Sequence, residues 1–117
     1  MPHQIAYKRL SRTDGHRRAL LRNLATSFFK HEKIETTSTK AKELSRVAER
    51  LIGVAMKGDL ASRRRVAAFL TEPAVVKKLV EQIAPGLKGS SGGHVRVTKT
   101  KVRSGDAAEL SMVELVR

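Results

Sequence analysis

Residues able to do acid, base, metal or nucleophilic chemistry are few and badly spaced for it. Cysteine is absent. That excludes thiol catalysis, a disulfide scaffold, Cys-ligated zinc and iron–sulfur clusters. The histidines are His3, His16, His31 and His94. No two of them stand four apart, as a helical metal site needs. The eleven carboxylates are scattered, and six of them stand within two residues of a Lys or Arg. They read as intramolecular ion-pair partners, not as an acid–base pair. The stretch Gly86–Gly93 (GLKGSSGG) allows close backbone approach, but it lacks the Gly-x4-Gly-Lys-Ser/Thr pattern of a nucleotide-triphosphate loop. It reads as a linker or an RNA-contacting loop. The expectation is no enzyme, no catalytic residue, no metal and no cofactor.

The cations carry the signal. The chain has 117 residues, 24 Lys plus Arg and 11 Asp plus Glu, for a formal charge of +13. Such a surface on a small globule repels itself until an anionic partner arrives, and nucleic acid is the commonest one. Residues 1–33 carry eight cationic side chains against two carboxylates, and residues 88–105 carry five against none. The stretches between are mixed, as on an ordinary globular surface. A basic arm (His3, Lys8, Arg9, Arg12) is joined by the start and outer face of a helix (His16, Arg17, Arg18, Arg22, Asn23). Lys40 and Lys42, then Arg96, Lys99 and Arg103, widen the footprint. Aromatic content is 3%, and Tyr7 is the only obvious base-stacker, since Phe28 lies on a core stripe and Phe29 flanks it. Binding is therefore expected to depend on phosphate charge and backbone shape, which favours folded RNA over single strands.

These side chains need a scaffold, and the pattern predicts an α+β one. Residues 1–13 have no sustained period, and their basic excess reads as an extended arm, not a frayed end. Residues 14–117 read as one domain. Thr13 or Asp14 caps a helix to about Lys33, with Leu20, Leu21, Leu24, Ala25 and Phe28 on its inner stripe. The opposite face holds Ala19, Arg22, Asn23, Thr26 and Lys30 and no carboxylate, so it should meet something negative. Lys33–Thr37 reads as a strand. Thr37 or Ser38 caps a second helix to about Met56, with Ala41, Leu44, Val47, Ala48, Leu51, Ile52 and Ala55 facing inward. Gly58 ends it. A third helix covers about Leu60–Leu70, and its Arg63, Arg64 and Arg65 cannot all face one partner. Pro73 opens a fourth helix that Pro85-Gly86 closes. His94–Arg103 and Glu109–Val116 read as a hairpin. The first strand loses its apolar phase at Val102, which calls for a bulge near 98–101. The second is apolar on both faces, as a central strand is. No apolar run approaches the roughly 18 residues of a membrane span.

A family resemblance spans nearly the whole chain. Its pieces, in order, are Met1-x-His3, Leu10-x-Arg12, His16-Arg17 and Arg22-Asn23-Leu24. His31-Glu32-x-Ile34-x-Thr36-Thr37, Lys40-Ala41-Lys42-Glu43-Leu44 and Glu49-x-Leu51-Ile52 follow. Gly92-Gly93, Arg96-Val97-x-Lys99, Arg103-x-Gly105-Asp106-Ala107 and Glu114-Leu115-Val116 complete it. In these the sequence resembles the bacterial large-subunit ribosomal protein family L-seventeen. The resemblance implies a two-layer domain in the order helix, strand, three helices, hairpin. It also implies a structural, non-catalytic protein of the cytoplasmic ribosome. Its partners would be large-subunit ribosomal RNA near the peptide tunnel exit and neighbouring large-subunit proteins, with no membrane or small-molecule substrate. Pro2, Gly53, Met56 and His94 depart from the usual pattern. The absence of a long presequence is the mark expected of a bacterial rather than an organellar member. Two rivals stand beside this reading. One is a DNA-binding protein using helices three and four. The other is a small RNA-directed enzyme, which would need a catalytic constellation that the residues do not offer.

Overall fold

The computed structural model describes residues 14–87 and 92–116. The expected arm at 1–13, with His3, Lys8, Arg9 and Arg12, lies outside the described residues, as does the middle of the glycine-rich stretch.

Helix α1 spans Asp14–His31. It stops just short of the expected end because Glu32 adopts φ 63°. A left-handed residue with a Cβ costs about 1–2 kcal/mol. Its N–H donates to the Phe28 carbonyl, its carbonyl accepts the Leu115 N–H at 3.0 Å, and its carboxylate lies 3.1 Å from Lys78 Nζ, which together hold it. The chain then turns directly into β1, Lys33–Thr37.

Helix α2 spans Ser38–Ala55. Ala41, Leu44, Ala48, Leu51, Ile52 and Ala55 are all buried, as their spacing predicts, and Val47 is half-buried. The expected hydroxyl cap does not form. Thr37 is the N-cap residue but makes no side-chain cap bond. Ser38 Oγ instead sits 2.7 Å from Ser111 Oγ, tying the helix start to the sheet. Gly58 closes the helix with φ 71°, a value that favours glycine. Helix α3, Leu60–Phe69, has a true cap: Asp59 Oδ1 accepts the Ser62 N–H at 2.8 Å. The Ser62 side chain first, and its backbone N–H second, hold the Asp59 carboxyl below its ordinary range.

The expected fourth helix begins at Pro73 but is not uniform. It runs as α4, Pro73–Lys78, then a π-helical turn at Leu79–Ile83, then α5, Ala84–Gly86. Pro85 supplies the reason. It has no N–H to donate and its ring needs space against the carbonyl four residues back. Widening the preceding turn gives that space, and the Ala84 N–H reaches five residues back to the Leu79 carbonyl.

The hairpin strands are β2, Val95–Val102, and β3, Glu109–Leu115. The sheet is antiparallel in the order β1-β3-β2, so the strand with two apolar faces is indeed central. Ile34, Val113 and Val97 lie in one cross-strand row on the helix-covered face. The expected bulge is at Thr100, between the pairs Lys99–Ser111 and Lys101–Leu110. It does not bury Val102, which stays 62% exposed. Its effect is to re-aim the far end of the hairpin.

The helices cover one face of the sheet, giving the expected two-layer α+β architecture. Phe28, Phe29, Leu44, Ile52, Leu79, Ile83 and Val113 form the fully buried heart of the core. Phe29 is as buried as Phe28, and their rings tilt together at 5.2 Å between centroids. The expectation that Phe29 merely flanks the stripe is therefore corrected.

Candidate nucleic-acid interface

A cleft of about 360 Å³ opens between the start of α1 and the outer side of α2. Arg17 and Arg18 come from α1, and Arg46 and Arg50 from α2. Leu21, Val47 and Phe69 give it an apolar floor. The α2 contribution follows from helical geometry, because positions 43, 46, 47 and 50 fall on one face. Glu43 is the single carboxylate lining the cleft, and it is only 3% exposed. Arg46 Nη1 lies 3.3 Å from its Oε1. Taking a carboxylate out of water is costly unless cations and donors replace the water, which this surround does. Arg18 and Arg50 are exposed, and neither has a carboxylate within ion-pair distance among the described residues. The cleft thus holds four positive charges against one negative.

The cations expected to meet RNA divide into groups. His16 and Arg18 are exposed in the first turns of α1, and Arg17 is half-buried there. Asn23 is exposed on the outer face. Lys40 is half-buried and Lys42 exposed near the start of α2. Arg22 has an internal partner. Its Nε donates to the Phe69 carbonyl at 2.7 Å and its Nη2 to the Ala68 carbonyl at 3.3 Å. It therefore caps the C-terminal end of α3, where unpaired carbonyls favour a cation. Thr26, expected on the outward face, is buried at 3% exposure. Its hydroxyl accepts the Thr71 N–H at 3.1 Å and donates to the Arg22 carbonyl at 2.8 Å. So the carboxylate-free face of α1 does meet something negative, but at Arg22 that something is the end of α3.

Among the described residues, three of the four hairpin cations, all but Lys101, are paired too. Arg96 Nη2 is 2.9 Å from Glu114, Lys99 Nζ is 3.0 Å from Glu109, and Arg103 Nη2 is 2.7 Å from Asp106. Arg103 and Asp106 meet through two bonds, and the Ala108 N–H adds a third at 3.2 Å. Led by the Arg103 bond, these contacts hold the Asp106 carboxyl down at about 2. The Glu109 carboxyl is also held below its ordinary range, first by Lys99, with smaller help from Ser38 and Lys42. Exposed pairs of this kind contribute about 0–1 kcal/mol each, so a phosphate can compete for the cation.

Sequence reasoning missed Arg46 and Arg50. The signal was present: with Glu43 and Val47 they form an i, i+3, i+4, i+7 set beside the apolar stripe of α2. His94 has a structural place. It is 5% exposed, its Nδ1 lies 3.2 Å from Glu49 Oε2, and Glu49 Oε1 accepts the Val95 N–H at 2.7 Å. This joins the start of β2 to α2. Among the described residues no three His, Asp or Glu side chains converge as metal ligands. No described helix is long and apolar enough to cross a membrane.

A small, strongly basic, two-layer α+β protein with its cations gathered into a cleft and a paired hairpin has the character of a structural ribosomal protein. Comparison with known proteins makes this specific. The family model described as ribosomal protein L17 matches residues 20–116. The large ribosomal subunit protein bL17 of Desulfitobacterium hafniense is 49% identical over 112 residues, covering 96% of this chain and all of that protein. Its counterpart in Clostridium botulinum (strain Loch Maree) is 51% identical over 110 residues, covering 94% of this chain and 97% of that protein. The chain belongs to the ribosomal protein L17 family, whose members are structural components of the ribosome and not enzymes. Its setting is accordingly the cytoplasmic ribosome.

Proposed function

We propose that the protein is built into the large ribosomal subunit, where it binds ribosomal RNA through phosphate and shape contacts. The observation that carries this is the near-half identity, over almost the full chain, to proteins named as large-subunit components. The arginine cleft supplies a physical means. Arg17, Arg18, Arg46 and Arg50 set four cations around one carboxylate on rigid helices. Rigid placement lowers the ordering entropy lost on binding. The arm residues His3, Lys8, Arg9 and Arg12 extend the contact between RNA helices, and residues 14–117 act with it as one domain. Lys40, Lys42 and the hairpin cations add a wider rim.

The mechanism is charge neutralisation with counterion release. Each phosphate neutralised adds roughly 0.7–0.9 to the steepness of the log affinity–log salt plot. A place near the peptide tunnel exit, beside other large-subunit proteins, follows from the family resemblance. The test is sedimentation of a native lysate with the protein followed by mass spectrometry. Co-migration with the large subunit through moderate salt, with release only at high salt, is the expected result. Migration with DNA, or as free monomer at ordinary salt, would overturn the reading and favour the DNA-binding rival.

A further inference from the structure

We infer that the α1–α2 cleft seats one unpaired nucleotide of the RNA, its base on the apolar floor and its phosphate on the arginine rim. The inference rests on the RNA-binding reading above and refines it.

Three observations carry it. First, the cleft's size, about 360 Å³, is at the small end for ligand pockets. A duplex cannot enter it, whereas a single extruded base can. Second, the lining is divided by chemistry. A site for backbone phosphate alone needs only cations, yet here Leu21, Val47 and Phe69 form an apolar floor beneath the arginines. A base has an apolar face for that floor and a charged phosphate for that rim, and unpaired bases in RNA are commonly held against aromatic rings and guanidinium planes. Third, the floor is held in place. The Phe69 carbonyl takes the 2.7 Å bond from Arg22 Nε, which fixes the backbone that carries the ring. Arg18 and Arg50, without carboxylate partners among the described residues, are the rim cations for the phosphate.

The test uses the full chain and NMR titration with the four nucleoside 5′-monophosphates, ribose 5-phosphate and inorganic phosphate. The monophosphates are expected to shift the Phe69 ring and the Leu21 and Val47 methyl signals. Ribose 5-phosphate and inorganic phosphate should leave those signals in place and move only arginine side-chain signals. Val47→Phe fills the floor without changing charge. It should abolish the monophosphate shifts and weaken binding to ribosomal RNA about tenfold, as loss of one base contact does. Its salt slope should match the parent's. If Val47→Phe melts early, Val47→Met serves as the milder filling. Equal shifts from all probes, or no shifts, would each overturn the inference. If the parent protein binds RNA with a steep salt slope while the monophosphates fail, only the nucleotide seat is wrong. If the parent fails to bind RNA, the underlying function is wrong as well.

Discussion

In the β2–β3 hairpin, Arg96, Lys99 and Arg103 each have a carboxylate within 3.0 Å. In the α1–α2 cleft, four arginines line the space with a single carboxylate, Glu43, and Arg18 and Arg50 have none within ion-pair distance among the described residues. Charge counted along the chain points to the hairpin and to only the α1 half of the cleft. Residues 88–105 have five cations and no carboxylate, while Arg46 and Arg50 sit in a mixed stretch. The hairpin explains part of the mismatch. Its antiparallel register folds Glu109 and Glu114 back onto the cationic strand, and its turn brings Asp106 to Arg103, so the charges meet. The helices do the opposite, bringing arginines from two distant stretches to one place. Local charge density is thus a poor guide to free charge, because topology decides which charges face each other.

The comparison can be broken at Glu43 first. Replacing it with Gln removes the one anion of the cleft and weakens a charge-assisted bond to Arg46. The expected outcome is a loss of about 2 kcal/mol in folding stability by chemical denaturation. RNA affinity should rise a few-fold at low salt, because one repulsive charge is gone. A fall in affinity at unchanged fold would mean that Glu43 contacts the RNA.

Arg22→Gln sharpens the same contrast from the helix side. It should cost about 1 kcal/mol through loss of the α3 cap. The salt slope of RNA binding should stay within experimental scatter of the parent's, because Arg22 is committed to the Phe69 and Ala68 carbonyls. A flattened slope would return Arg22 to the RNA-facing set.

The smallest effect lies in the hairpin turn. Asp106 titrates at about 2 in the folded chain against an ordinary 3.8. A lowered carboxyl stabilises the fold above its unfolded value and loses that contribution as pH falls through the folded one. The melting-point gap between the parent and Asp106→Asn should therefore be steady from neutral pH to about 4 and close towards pH 2. A gap that ignores pH would mean that the Arg103–Asp106 pair does not hold the turn.

Much of the fold was legible because its signals are local. The α2 stripe, Gly58, Pro73 and the apolar β3 each mark their element within a few residues. The bulge at Thr100 showed as a slip in alternation, although the slip did not predict that Val102 stays exposed. What was illegible depends on partners far along the chain. Arg22 finds its carbonyls on α3, Thr26 finds Thr71, and Ser38 finds Ser111. The cleft needed both helices in place before Arg46 and Arg50 stood beside Arg17 and Arg18. The π turn is intermediate, since Pro85 signals an end but not the widening before it.

The central claim is that the protein binds ribosomal RNA chiefly through the cleft. The direct test removes two charges from each region and compares salt slopes for ribosomal RNA. Arg18→Gln with Arg50→Gln should flatten the slope by roughly 1.4–1.8, the full value of two phosphate contacts. Arg96→Gln with Lys99→Gln should flatten it by less than half as much, because those cations leave a carboxylate to reach a phosphate. Equal flattening by both pairs, or the larger change from the hairpin pair, would contradict the account.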